Sequence, residues 1–251
     1  MTIVHLVTPI ITPGLRCLDD VKPLEEYGIE IRQSILDAGP ASIECEFDEA
    51  LAVPDTIKQC VLAERDGADA IVIDCMGDPG VRPAREVVKI PVLGPMETSM
   101  HTAAMLGTKI SIVTVAESVV PMLENLGRLY GVKDRMTPIR VIDLPVLELD
   151  KDIERTKALL SEASEAAVKK DGADVIIFGC TGFLGCAESI KAHLASRNLN
   201  VPVIDPVPLT MITAASLARM GLTNSKKAYA PPRRKEIKGF NIPLAPHAIA
   251  G

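Results

Sequence analysis

Two cysteines stand at matched points of a passage the chain contains twice. Residues 66–77 read D-G-A-D-A-I-V-I-D-C-M-G and residues 171–182 read D-G-A-D-V-I-I-F-G-C-T-G, which puts Cys75 and Cys180 in register. A thiolate is a base and a thiol is an acid. Two of them facing one small molecule can remove a proton from one side of a carbon and return one to the other. Met76-Gly77 and Thr181-Gly182 follow the cysteines, and small residues there let backbone amides approach a ligand. Each passage turns from a strand towards a helix. The helix dipole and its unpaired N–H groups are therefore expected to favour the thiolate and lower each thiol's pKa. The plainer alternative is a pair of ordinary buried strand-end cysteines, since free Cys is among the most buried residue types. Matched placement in a duplicated unit argues against it. Cys17, Cys45 and Cys60 lie outside the repeat and read as core or surface thiols; Cys186 reads as a helix residue. No C-x-x-C pair occurs, and His5, His193 and His247 are scattered, so no metal site is expected.

The elements that must hold these cysteines alternate. Apolar runs predict strands at 3–8, 29–35, 69–75, 91–94, 109–115, 139–142, 174–180 and 202–204. Helical spacing predicts helices at 49–65, 96–106, 117–130, about 150–170, 184–196 and 208–220, with a short one after G-D-P-G. This alternation gives an α/β fold of two similar lobes, each a mainly parallel sheet flanked by helices. Chemistry in such sheets sits at the carboxyl ends of the strands. Both copies continue into an apolar-Pro-apolar strand, I-P-V-L-G-P at 90–95 and V-P-V-I-D-P at 201–206. The helix after the first leads into the second copy, whereas the helix after the second has nothing to lead into. The chain is thus expected to cross near 95 and return near 206. Lobe one comprises 1–95 plus 206–251 and carries Cys75; lobe two comprises 96–205 and carries Cys180. Residues 223–251, with six basic residues and four prolines, read as an extended solvated or partner-facing tail. Glu97 and His101, an i, i+4 pair, could orient a thiol or bind substrate, or be an ordinary cap carboxylate and surface histidine.

Composition narrows the function. The 251 residues carry a net charge of −6 and 3% aromatics with no Trp, which disfavours nucleic acid, anionic membrane and stacking platforms. No segment is long enough to span a bilayer, and M-T-I-V-H-L-V reads as a first strand rather than a signal peptide. Free thiols suit a cytoplasmic enzyme acting on a small molecule.

At these residues the chain resembles the hydantoin/allantoin racemases of the aspartate/glutamate racemase superfamily. The resemblance runs through G-P-A-S-I-E at 39–44, D-E-A-L-A-V-P at 48–54, D-C-M-G-D-P-G at 74–80 and M-H-T-A-A at 100–104. It continues through S-I-V-T at 111–114, G-C-T-G at 179–182, V-P-V-I-D at 201–205 and S-K-K-A-Y-A-P-P at 225–232. It implies a racemase without cofactor, built as two pseudo-twofold α/β lobes, that inverts the carbon alpha to a carbonyl in a hydantoin-type cyclic ureide. Cys75 and Cys180 would be the two acid/base residues. Met76, Gly77, Thr181 and Gly182 would hold substrate carbonyl oxygens through backbone amides, with Thr114 as a wall residue. A homo-oligomer is expected by the same analogy. The resemblance departs after the first strand, where the family carries an N-P-N-T-type loop and this chain has Thr8-Pro9-Ile10-Ile11. Thr8 and Ile10 are still expected against the substrate, but the apolar pair points to a less polar, larger or differently oriented ligand. Competing readings are another superfamily enzyme (amino-acid racemase, maleate isomerase or arylmalonate decarboxylase) and a non-catalytic ligand-binding protein.

Overall fold

The computed structural model describes residues 1–249. Four short parallel strands form a first sheet: β1 (Thr2–Thr8), β2 (Ile29–Ile35), β3 (Ala70–Ile73) and β4 (Val92–Leu93), in the order β2-β1-β3-β4. Four more form a second: β5 (Ile110–Thr114), β6 (Arg140–Val141), β7 (Val175–Phe178) and β8 (Val203–Ile204), in the order β6-β5-β7-β8. The two orders are the same, as a duplicated unit requires. In each sheet the cysteine-bearing strand is central, β3 between β1 and β4 and β7 between β5 and β8. Every residue of β3 and of β7 is buried, which explains why both read as unbroken apolar runs.

Helices cover both faces: α1 (Glu46–Arg65), α2 (Val81–Val87), α3 (Pro95–Leu106), α4 (Val120–Leu129), α5 (Ile153–Asp171), α6 (Ala187–Ser196) and α7 (Pro206–Arg219). On one face of the first sheet Ile71 and Ile73 pack with Cys60, Val61 and Val81; on the other Val4, Leu6 and Val72 pack with Val207, Met211 and Ala214 of α7. In the second lobe Val113 and Phe178 meet Leu160, Ile190 and Leu194, while Ile112 and Ile177 meet Met96 and Met100 of α3. Each such apolar side chain contributes about 1.5–3 kcal/mol when fully buried. Thus α3 follows the first sheet but covers the second, α7 follows the second but covers the first, and the two helices pack on each other.

Several element bounds differ from those expected. The central strands stop at Ile73 and Phe178, so both cysteines sit in turns beyond the sheet rather than within it. The helix expected from 184 begins at Ala187, because Gly185 takes a left-handed conformation (φ 68°) and keeps the preceding residues in a turn. The tail differs more. Its first part is docked: Lys226 Nζ donates to the carbonyls of Arg85, Glu86 and Val88 at 2.6, 3.1 and 2.6 Å, capping α2. Tyr229 lies between Arg82 and Arg85, and Asn224 accepts from the Val92 amide. Residues 233–240 are exposed, whereas 250 and 251, like the His247 side chain, lie outside the described residues. Among the described residues no helix is long and apolar enough to cross a membrane.

Candidate active site

Past the end of β3 the Asp74 amide still donates to Val7 O, continuing the ladder for one residue. The chain then folds back on itself, and the Gly77 N–H donates to Cys75 Sγ at 3.5 Å. Beyond β7 the same happens: Gly179 N–H donates to Val113 O, and Gly182 N–H to Cys180 Sγ at 3.3 Å. A Cβ on Gly182 would stand 3.3 Å from Cys180 Sγ and 3.0 Å from Leu149, so only glycine leaves this thiol uncrowded. The two turns are joined directly, since Thr181 Oγ1 donates to the Asp74 carbonyl at 3.2 Å.

Both cysteines line one cavity of about 300 Å³ between the lobes. Thr8, Ile10, Met76, Gly77, Thr181 and Gly182 line it too. Much of the remaining wall is aliphatic, from Leu15, Ile43, Val115, Leu149, Ile153 and Leu184. Thr114 is not part of that wall. It is fully buried beneath Gly179, donating to the Gly179 carbonyl at 3.2 Å, and a Cβ on Gly179 would lie 2.8 Å from Thr114 Cβ. Its side chain fills the space a larger residue at 179 would need, and Val115 takes the place on the wall. Glu97 and His101 also lie outside the cavity. Glu97 pairs with Arg85 at 2.5 Å, and the exposed His101 leans on the Tyr130 ring.

The thiols are not acidified as expected. Burial pushes Cys75 well above the ordinary thiol value, and the single Gly77 N–H only partly offsets this. Burial likewise pushes Cys180 up to about 12 against the Gly182 N–H. The helix ends that were to lower them begin at Val81 and Ala187, and a dipole's influence fades within one turn. Desolvation therefore prevails, and both resting groups are neutral thiols.

Three features escaped the sequence reading. The first is a buried ion cluster on the cavity's first-lobe side. Arg16 Nε donates to Asp74 Oδ2 at 2.9 Å while its two terminal nitrogens hold Asp20 at 2.7 and 2.9 Å. Thr8 Oγ1 adds a bond to Asp74 Oδ2, and Gln33 donates to Thr8. Burial still raises the Asp74 carboxyl, the Arg16 charge notwithstanding. The second is Asp78, left-handed at φ 51°, which accepts from the Met96 and Glu97 amides and from Tyr130 Oη at 3.0, 2.9 and 2.7 Å. It ties the Cys75 turn to the start of α3 and to the end of α4. The third is Cys17, exposed yet on the cavity's edge. Arg16 with Asp74 and Asp78 with Tyr130 join residues far apart in the chain, so a local pattern carries no sign of them. Among the described residues no cluster of three His, Cys, Asp or Glu side chains is arranged to hold a metal ion.

The family model for Asp/Glu/Hydantoin racemase matches residues 29–214, a span that includes both cysteine turns. The chain belongs to the Asp/Glu/Hydantoin racemase family. A hydantoin racemase from Pseudomonas sp. (strain NS671) is 39% identical over 202 residues, covering 80% of this chain and 79% of that protein. One from Rhizobium meliloti is 34% identical over 242 residues, covering 95% and 98%. Among solved structures, an allantoin racemase from Klebsiella pneumoniae superposes with a TM-score of 0.86 at 32% identity, covering 95% of this chain and 97% of that one. With such relatives this family member is an isomerase, a racemase acting on a small molecule.

Proposed function

We propose that the protein inverts the stereocentre alpha to a carbonyl in a hydantoin-type cyclic ureide, by proton transfer between Cys75 and Cys180 without a cofactor. One observation carries this reading: two thiols from equivalent turns of two like lobes line the same small cavity. One thiolate takes the Cα proton from one side and the opposite thiol delivers a proton to the other, so their protonation states exchange with each inversion. The ring's own carbonyl stabilises the carbanion as an enolate. Among the described residues the N–H groups of Met76 and Thr181 have no protein partner, whereas those of Gly77 and Gly182 are spent on sulfur. Met76 and Thr181 are therefore the donors assigned to the enolate oxygen, each contributing on the order of 3 kcal/mol in the transition state. Forming a thiolate in this cavity is costly, and the two sulfur-directed N–H bonds offset part of that cost.

The aliphatic wall, which includes Ile10, suits an apolar ring substituent better than a polar one. Lobe one is taken as 1–95 plus 206–251 and lobe two as 96–205, a division supported by the packing of α7 on β1 and β3. A cytoplasmic setting fits six free thiols, and a homo-oligomer fits the exposed Phe47 and Leu51.

Single enantiomers of 5-alkyl hydantoins, allantoin and free amino acids, incubated in deuterium oxide, test the reading. Wild type should racemise 5-alkyl hydantoins while incorporating deuterium at Cα. Cys75→Ser and Cys180→Ser should each abolish racemisation, and each should retain exchange of at most one enantiomer. Full racemisation by either variant would remove that cysteine from the mechanism.

A further inference from the structure

Glu49 stands in the first turn of α1, half-buried, directly behind the Cys75 turn. Its Oε2 lies 3.4 Å from where a Cβ on Gly77 would be, and the Sδ and Cε of Met122 lie 3.2 and 3.3 Å from the same point. Gly77 is the residue whose N–H rests on Cys75 Sγ. A second, more open cleft of about 470 Å³ runs between α1 and α4, lined by Glu46, Glu49, Ala50, Met122, Asn125 and Leu129 among others. Met122 lines both this cleft and the cysteine cavity. The partition between solvent in the cleft and Cys75 is thus one side-chain layer thick, and Glu49 is part of it.

Two-thiol inversion leaves a difficulty that the cysteines cannot resolve alone. A turnover beginning with Cys75 as thiolate and Cys180 as thiol ends with Cys75 as thiol and Cys180 as thiolate. Before the same enantiomer can react again, Cys75 must lose a proton and Cys180 must gain one. Both sulfurs are only partly exposed and open onto the cavity that the substrate fills, so exchange with bulk water is slow during turnover unless a group carries the proton. We infer that Glu49 is that group for Cys75, passing protons between the Cys75 sulfur and water in the α1–α4 cleft. In one direction the Cys75 thiol gives its proton to the Glu49 carboxylate, which releases it to water while Cys180 thiolate takes one from water. The other direction reverses each step, so charge and protons balance.

The surroundings suit this role. Facing the carboxyl are Glu46 from its own helix, Cys75 from the turn, and the neutral Met122 and Asn125 from α4; Asp78 belongs to the same turn but is held by Tyr130 and the α3 amides. No cation faces it, and it has no hydrogen-bond or ion-pair partner among the described residues. Burial, with repulsion from Glu46, pushes it up to about 7, where a carboxyl gives and takes protons equally readily near neutral pH. Glu49 acts through Cys75, so it is a positioning residue for the proton and touches no substrate. The inference rests on the two-thiol reading above.

Glu49→Gln tests it with the full-length enzyme and the 5-alkyl hydantoin racemised best by wild type. The variant should fall about 10²-fold in kcat, the low end of what a positioned proton-transfer group contributes, while kcat/KM stays within a few-fold. The limb of the wild-type kcat profile near pH 7 should vanish, and added imidazole or formate should restore kcat. Radiolabelled racemate pulsed with one unlabelled enantiomer should be driven transiently off equilibrium by the variant and not by wild type. An unchanged kcat and pH profile would overturn the inference. So would an equal loss of kcat and kcat/KM that small acids do not rescue, which is the mark of a structural lesion. Wild type inactive on every hydantoin would instead remove the underlying reading, and this inference with it.

Discussion

Gly179→Ala adds one methyl group immediately before Cys180, and the structure sets its cost. The new Cβ would stand 2.8 Å from Ile112 Cγ2, 2.8 Å from Thr114 Cβ and 3.0 Å from Thr114 Oγ1. Carbon atoms pack at about 3.5–4.0 Å, so the overlap is roughly 1 Å. Ile112 and Thr114 are fully buried in β5 and have no space to retreat into, so the end of β7 must move. Overpacking of this kind costs about 1–3 kcal/mol. A chain of this size loses roughly 2–4 °C per kcal/mol, so the melting temperature should drop by about 2–12 °C. The rate should suffer more. Cys180, the proposed acid/base, is the next residue, and misplacing a reacting group by about 1 Å costs on the order of 10²-fold. Gly185→Ala is the control. Among the described residues no atom beyond its chain neighbours would lie within 4 Å of a Cβ there, which meets only left-handed backbone strain at φ 68°, about 1–2 kcal/mol, so kcat should stay within about twofold of wild type. Initial racemisation rates by polarimetry and a thermal melt read both variants. A Gly179→Ala enzyme with wild-type kcat would refute the claim that Thr114 and Ile112 hold the Cys180 turn in place.

Two further outcomes follow from the charges around the cavity. Removing Arg16 leaves Asp74 buried without its counter-ion, so Arg16→Ala should cost about 3–5 kcal/mol, read as a lowered urea midpoint. The double replacement Arg16→Met, Asp74→Asn should recover part of that loss, and a single-variant cost below about 1 kcal/mol would count against the ion cluster. Because burial raises both cavity thiols, each is protonated at neutral pH and its thiolate fraction grows as pH rises. Racemisation should accordingly accelerate from pH 7 to 10, and iodoacetamide at pH 8 should alkylate the exposed Cys17 before Cys75 or Cys180, as peptide mass spectrometry would show. Equal labelling of the three would contradict the burial argument.

The duplication made the fold and both thiols legible, because apolar strands, their glycine-bounded turns and the cysteines recur at fixed offsets. Residues that owe their position to one lobe's loops were not. Arg16 sits in the irregular stretch between β1 and β2 and meets Asp74, 58 residues away, only once the sheet has formed. Glu49, in E-F-D-E-A, reads as one more solvent-facing carboxylate at a helix start until the neighbouring lobe closes over it. Thr114 lies one layer behind the cavity wall expected of it, because a strand's last residue can face the cavity or the adjoining strand, and here it bonds the Gly179 carbonyl beyond β7. The acidity of the thiols was misjudged for a different reason. The helices begin at Val81 and Ala187, six and seven residues past the cysteines, so their dipoles reach neither sulfur and a single N–H bond to each offsets desolvation only in part.

The exchange of α3 and α7 between the sheets has a consequence for how the molecule is made. During synthesis the first sheet emerges complete in its strands by residue 93, yet the helix that seals one of its faces ends only at Arg219. Val4, Leu6 and Val72 must stay uncovered, or be shielded by something else, until α7 has left the ribosome. Neither half can mature ahead of the other, so the two thiols are brought to their common cavity late and together.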